Sequence, residues 1–269
     1  MATFIEEKGS QFLSRYTNVL TDYNLEKNLF PSLKPEDIVE IYGESGAGKT
    51  ELLYHFIARC ILPDNWKGLM LDGLNLRVIF IDNDCRFDLL RLITILETRI
   101  KLMRQSTCIK SEEMSVFINE RLRCLEIIKC FNSEQFLVTL HSLETLLSLE
   151  NYKTVLMVDG MTSFYWSDKM KYVNHHQNLL KFYTQIATVL KKMSQNCKIP
   201  VFATRRKIIN NETSDKKILG QTWRNSVKWQ LELTFNGSKP DKTVVSLTNV
   251  NMSSTCLCAI GKNGFVVHV

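Results

Sequence analysis

From residue 37 onward the chain alternates between short runs of consecutive apolar residues and longer stretches whose apolar positions recur three and four apart. The runs "DIVEIY" (37–42), "RVIFID" (77–82), "LEIIKCF" (125–131), "KTVLMVD" (153–159) and "IPVFATR" (199–205) predict strands. Between them the spacing predicts a helix over 49–62, stopped by Pro63, then helices in "FDLLRLITILETRI" and "EQFLVTLHSLETLLSL" and a long one near 175–194. A strand that is apolar at successive positions, rather than at alternate ones, is buried on both faces. Helices at this spacing supply the cover, so the pattern predicts an α/β fold with a mostly parallel central sheet.

The last forty residues change pattern. "WQLELTF" sets Trp229, Leu231, Leu233 and Phe235 against Gln230, Glu232 and Thr234, and "TVVSLT", "STCLCAI" and "FVVHV" follow at short intervals. This predicts an antiparallel ribbon finishing the sheet. At the other end, "FIEEKGSQFLSRY" places Phe4, Ile5, Phe12, Leu13 and Tyr16 on one face of a helical patch, and Pro31 and Pro35 mark a linker. The expected division is an N-terminal helical and linker segment, 1–36, and a core domain, 37–269.

Composition narrows the class. A chain of 269 residues with 45% hydrophobic and 23% charged content buries a full core. No apolar stretch reaches the roughly 20 residues that a membrane helix needs, and "MATFIEEKGSQF" lacks the basic-then-apolar layout of a signal peptide, so a soluble intracellular protein without a membrane partner is expected. Eight cysteines without a CxxC pair read as reduced thiols, and Cys256 and Cys258, sharing a strand face with no His nearby, are not expected to hold a metal. The net charge of +6 is uneven: residues 161–219 carry eleven Lys/Arg against three Asp/Glu. A local positive field attracts polyanions, while a solvated face is the plainer reading.

The strongest chemical signal is "GESGAGKT", residues 43–50, which follows a predicted strand and opens a predicted helix. Its mechanism needs that setting: Gly43, Gly46 and Gly48 let the backbone turn its amides inward, the helix N-terminus meets phosphate, Lys49 supplies a point charge and Thr50 a hydroxyl for Mg²⁺. A second metal-orienting carboxylate is required at a neighbouring strand tip, and "TVLMVDG" delivers Asp159. "FIDNDCRFDLLRL" adds Asp82 and Asp84 at the carboxyl end of another strand; either is placed to orient a water, and Asp84 reads equally as the cap of the following helix.

Beyond the loop, the order of glycine-rich loop, acidic strand end, Asp-tipped strand, long helix, strand and terminal ribbon resembles the RecA-type ATPase core of eukaryotic strand-exchange recombinases. The segments "EKGSQFLSRY", "EKNLFPS", "TELLYHFIARCILP", "FIDNDCRFDLLRLITILETR" and "VDGMTSFYW" are similar to a recombinase paralogue of that family. The likeness spans nearly the whole chain and is weakest at 100–125 and beyond 207. It implies a RecA-like P-loop NTPase core and a nuclear (and cytoplasmic) role in homologous-recombination repair, binding other recombinase paralogues as a hetero-oligomer together with single-stranded or branched DNA.

Carried over by motif, Gly43, Glu44, Ser45, Gly46, Ala47, Gly48, Lys49 and Thr50 would contact the phosphates of ATP, Thr50 and Asp159 would hold Mg²⁺, and Asp84 would stand at the catalytic Glu of active recombinases. Asp84 is one methylene shorter, a retreat of about 1.5 Å, so weak or absent hydrolysis is expected. After the fifth strand "ATRRK" replaces the family's polar sensor with Arg205 and Arg206. A third departure is that 36 residues leave no room for the recombinases' N-terminal DNA-binding domain, so long filaments are not expected. The family's DNA-facing loops map to about 167–175 and 206–219, where Lys169, Lys171, Arg205, Arg206, Lys207, Lys216 and Lys217 would neutralise phosphates. Tyr165 and Trp166 adjoin the first loop, as base-stacking side chains or as core and interface. The leading expectation is a recombination mediator. An active DNA-dependent ATPase performing strand exchange is the alternative, and a small-molecule P-loop kinase a weaker one.

Overall fold

A computed structural model describes residues 33–103, 110–149, 153–172, 176–207, 219–235, 242–249, 252–261 and 264–268, together with Tyr23, Leu25, Glu26, Leu29 and Phe30. The predicted helical patch at 4–16 lies outside these residues. The central sheet is built from β1 (Ile38–Gly43), β4 (Arg77–Asp82), β5 (Leu125–Lys129), β6 (Thr154–Asp159), β7 (Val201–Arg206), β8 (Val227–Phe235), β9 (Lys242–Asn249), β10 (Met252–Gly261) and β11 (Gly264–His268). Its order is β11-β10-β9-β8-β1-β7-β6-β4-β5, and a small separate hairpin pairs β2 (Asn65–Trp66) with β3 (Leu69–Met70).

Every strand from β8 to β5 in that order runs parallel to its neighbours. The predicted ribbon therefore begins one strand later than its polar alternation suggested: β8 pairs parallel with β1, and only β9, β10 and β11 are antiparallel additions. The reason is the helix before it. α7 (Gly220–Ser226) returns the chain to the sheet's starting end, and a strand entered that way runs with its neighbours.

Two apolar layers cover the sheet. On one face α1 (Lys49–Ile61), α2 (Leu89–Leu102) and α3 (Ser111–Leu122) pack on Val39, Ile41, Val78, Phe80, Val155, Met157 and Phe202. On the other, α4 (Ser133–Leu149), α6 (His176–Cys197) and α7 pack on Ile38, Ile79, Ile81, Leu156, Val158, Val201 and Ala203. Alternate residues of one strand thus enter alternate cores, which is why the runs are apolar throughout. The proline-marked stretch also joins the core. Leu25, Leu29, Phe30 and Leu33 are buried, and Phe30 meets Phe56, Phe202 and Trp229 at ring centroids 5.9, 6.2 and 5.9 Å apart.

α3 and the β2–β3 hairpin were not legible beforehand. They brace each other through Trp66 stacked on Phe117, 4.0 Å between centroids and 10° between planes. α5 (Tyr165–Lys171) occupies the start of the segment expected to be a DNA-facing loop, and residues 208–218 of the second expected loop lie outside the described residues.

Candidate nucleotide site

The glycine-rich loop leaves β1 at Gly43 and enters α1 at Lys49. Gly46 and Gly48 have φ of 82° and 95°, the left-handed region that favours glycine. Space makes the same demand: a Cβ on Gly48 would lie 2.2 Å from Ile260 Cδ1, and one on Gly43 2.3 Å from the Leu233 carbonyl oxygen. Ala47 is buried, and Glu44, Ser45 and Gly46 are exposed at the loop's crest. Lys49 Nζ donates to the carbonyls of Gly43 (3.1 Å) and Glu44 (2.6 Å), folding the amine inside its own loop. Burial pulls the Lys49 amine below its usual range, an effect the Asp159 carboxylate opposes.

Asp159 is held from two sides. Thr50 Oγ1 donates to its Oδ2 at 2.8 Å, and Thr204 Oγ1 donates to its Oδ1 at 2.5 Å while accepting the Gly160 amide at 2.8 Å. Burial pushes the Asp159 carboxyl above its ordinary value, with the two hydroxyls acting the other way. The strand order explains the meeting: β6 carries Asp159, β7 beside it carries Thr204, and β1 beyond delivers the loop.

The structure separates the acidic residues that follow β4. Asp82 is fully buried and accepts the amides of Arg86 (3.1 Å) and Phe87 (2.9 Å), so it fastens the turn. Asp88 caps α2, accepting the Arg91 amide at 3.1 Å. Asp84 does neither. It is exposed, and Ser163 Oγ donates to its Oδ1 at 2.5 Å and to the Gly160 carbonyl at 2.9 Å.

These groups surround one cavity of about 340 Å³ that Lys49, Thr50, Asp84, Asp159 and Thr204 line together with Arg86, Trp166 and Arg206. Hard oxygen donors at Thr50 and Asp159, glycines that a Cβ would block and a partly buried lysine fit a magnesium-bound polyphosphate. Asn83 Oδ1, one residue before Asp84, is a buried acceptor without a partner among the described residues.

The residues expected to meet DNA fall into several settings. Arg205 is a correction: its guanidinium is buried, paired with Glu40 Oε1 at 2.8 Å and laid over the Tyr42 ring at 5.2 Å, and so is not available to a phosphate. Arg206, one residue on, points the other way and lines the cavity. Lys207 lies 3.7 Å from Glu232, and Lys171 3.2 Å from Glu134. Lys169 sits over Trp166, 4.9 Å from its ring, while Tyr165 packs against the second core. Lys216 and Lys217 lie outside the described residues. Thr204, Ser163 and Arg86 were missed in the sequence. Thr204 left a signal as the polar end of an apolar strand, whereas Ser163 and Arg86 depend on how two loops fold back.

The fold and this constellation define a RecA-type nucleotide-binding core. The Rad51 family profile matches residues 19–225, and the chain belongs to that family, as its resemblance to recombinase paralogues implied. It is 42% identical over 167 residues to the DNA repair protein XRCC2 of Mus musculus, an alignment covering 61% of this chain and 55% of that protein. It is 28% identical over 191 residues to the DNA repair protein XRCC2 homolog of Arabidopsis thaliana, covering 61% of this chain and 51% of that one. The chain spans about half the length of the curated relatives it matches. Among the described residues no helix is long and apolar enough to cross a membrane.

Proposed function

We propose that this chain is a homologous-recombination mediator: a recombinase paralogue that holds ATP with Mg²⁺, hydrolyses it slowly or not at all, and joins other paralogues and single-stranded or branched DNA in the nucleus (and cytoplasm). Residues 37–269 form the ATPase core in this reading, and 1–36 a segment whose described part is packed onto it. Family membership and relatives bearing the name of a DNA repair protein support the repair role. The cradle supports the ligand: Gly43 to Thr50 meet the phosphates, and Thr50 and Asp159 take the metal, which supplies charge neutralisation between the phosphate oxygens when bound.

The observation that carries slow turnover is Asp84. Its carboxylate is short for the task of orienting a water, and the Ser163 hydroxyl already engages it at 2.5 Å. Lys169, Lys171, Arg206 and Lys207 are the described cations in this reading that face DNA or a neighbouring anionic ligand; such contacts weaken steeply with salt.

The test is to purify the chain with a partner paralogue, titrate a non-hydrolysable ATP analogue with and without Mg²⁺, and measure turnover with single-stranded DNA. Magnesium-dependent binding with turnover at least about tenfold below that of an active recombinase is expected. Equal turnover, or extended filaments on single-stranded DNA in electron micrographs, would replace the mediator with an active strand-exchange enzyme.

A further inference from the structure

The cavity holds more positive charge than the glycine-rich loop brings to it. Two guanidiniums, Arg86 and Arg206, line it alongside Lys49, and neither makes an ion pair or side-chain hydrogen bond among the described residues. They arrive from opposite sides. Arg206 ends β7 in register with Gly43, and the next amide, Lys207 N, donates to the Gly43 carbonyl at 3.0 Å, which fixes that strand end against the start of the loop. Arg86 lies beyond β4, across β6 and its Asp159, on a turn that Asp82 fastens through the Arg86 and Phe87 amides. The two backbones are pinned while the side chains are left without protein partners.

The acidic lining shows what such cations are suited to. Glu51 is engaged by Arg91 through two hydrogen bonds of 2.9 and 3.0 Å, Asp159 by two threonines and Asp84 by Ser163. The carboxylates are therefore occupied, whereas Arg86 and Arg206 are not. A phosphate placed beyond Lys49, toward Asp84 and Asp159, would meet two carboxylates, and like charges a few Å apart in a partly buried cleft repel strongly. Guanidiniums on both sides offset that repulsion and match phosphate oxygens with paired N–H donors.

We propose that Arg86 and Arg206 form a clamp for the outermost phosphate of a nucleoside triphosphate, so that the site selects triphosphate over diphosphate. This rests on the reading of the cavity as a nucleotide site, and it assigns Arg206 to that site and not to DNA. The two arginines determine specificity; no bond is made or broken by them.

The experiment is calorimetric titration of the chain, with its partner paralogue and Mg²⁺, using ADP and a non-hydrolysable ATP analogue, for the natural sequence and for Arg86→Gln and Arg206→Gln. Each variant is expected to lose about tenfold in affinity for the triphosphate while its affinity for ADP stays within about threefold. Thermal unfolding without nucleotide should coincide for all three proteins, since neither side chain has a protein partner. Equal losses for both nucleotides, or no loss for either, overturns the clamp while leaving the nucleotide site intact. If the natural sequence binds neither nucleotide, the nucleotide site itself falls, and the clamp with it.

Discussion

Arg205 and Arg206 are neighbours in the chain and occupy opposite kinds of environment. Arg205 turns into the core beneath α7, where Glu40 accepts Arg205 Nε and Trp223 Nε1 on one oxygen, both at 2.8 Å, and Gln230 Nε2 on the other at 2.6 Å. Tyr42 beneath the guanidinium donates to Glu232 at 2.8 Å, and burial, then that carboxylate, push its hydroxyl well above the usual range. This network is closed: its acceptors are used by the protein itself. Arg206 turns into a cavity where the polar groups are oriented but the cations are left without a partner carboxylate. The contrast teaches how one sheet separates two uses of charge. Polar groups that bond one another under a helix contribute to folding; those that converge at strand tips without completing one another are suited to a ligand.

That contrast breaks most sharply at Arg205. Arg205→Ala leaves Glu40 buried without its cation, and a loss of about 3–5 kcal/mol in denaturant-derived stability is expected. The same truncation at Arg206 should change stability by less than about 0.5 kcal/mol. Near-equal losses would mean that the two arginines share one environment.

Lys49→Ala acts on the open side. Losing the phosphate-facing amine should weaken binding of an ATP analogue by about a hundredfold in calorimetry, with the unfolding curve nearly unchanged. Unchanged affinity would take the loop out of the site.

Gly48→Ala sits between the two. It forces an alanine into φ 95° and its methyl onto Ile260, so about 1–3 kcal/mol of stability should disappear along with nucleotide affinity.

Asp159→Asn gives the smallest effect, and one of opposite sign. The folded carboxyl titrates above its ordinary value of 3.8, so the folded state holds the proton more tightly than the unfolded chain. Stability from this group is greatest below that ordinary value and is lost as pH rises through the folded one. At neutral pH without ligand the variant should be more stable by about 0.5–2 kcal/mol, an advantage that fades in acid, while its binding of nucleotide loses dependence on Mg²⁺. A less stable variant at neutral pH would show that the hydroxyl bonds to Asp159 outweigh its burial.

Much of this arrangement was legible in the chain. The apolar runs gave the parallel strands to within a residue or two, because burial on both faces leaves a continuous signature. The loop, Thr50 and Asp159 were legible because a motif and a strand tip fix their positions. Which arginine faces the cavity was not: it depends on a register of one residue, and the predicted strand stopped at 205 where the real one runs to 206. A signal was present in Glu40, a carboxylate inside an apolar strand that needs a buried cation. The sorting of Asp82, Asp84 and Asp88 into turn, cavity and helix cap was likewise set by the path of the turn, which periodicity does not encode. α3 was missed because Phe117 and Ile118 are its only buried apolar residues, too few to make a stripe.

The contact between Gly48 and Ile260 joins positions more than two hundred residues apart. As the chain leaves the ribosome, the phosphate-binding turn emerges long before the strand that backs it. The pocket therefore matures late: a nascent protein lacking its final hairpins has the binding sequence but not the wall behind it. Nucleotide would favour the finished molecule over any partly synthesised form, making ligand capture a checkpoint on complete synthesis.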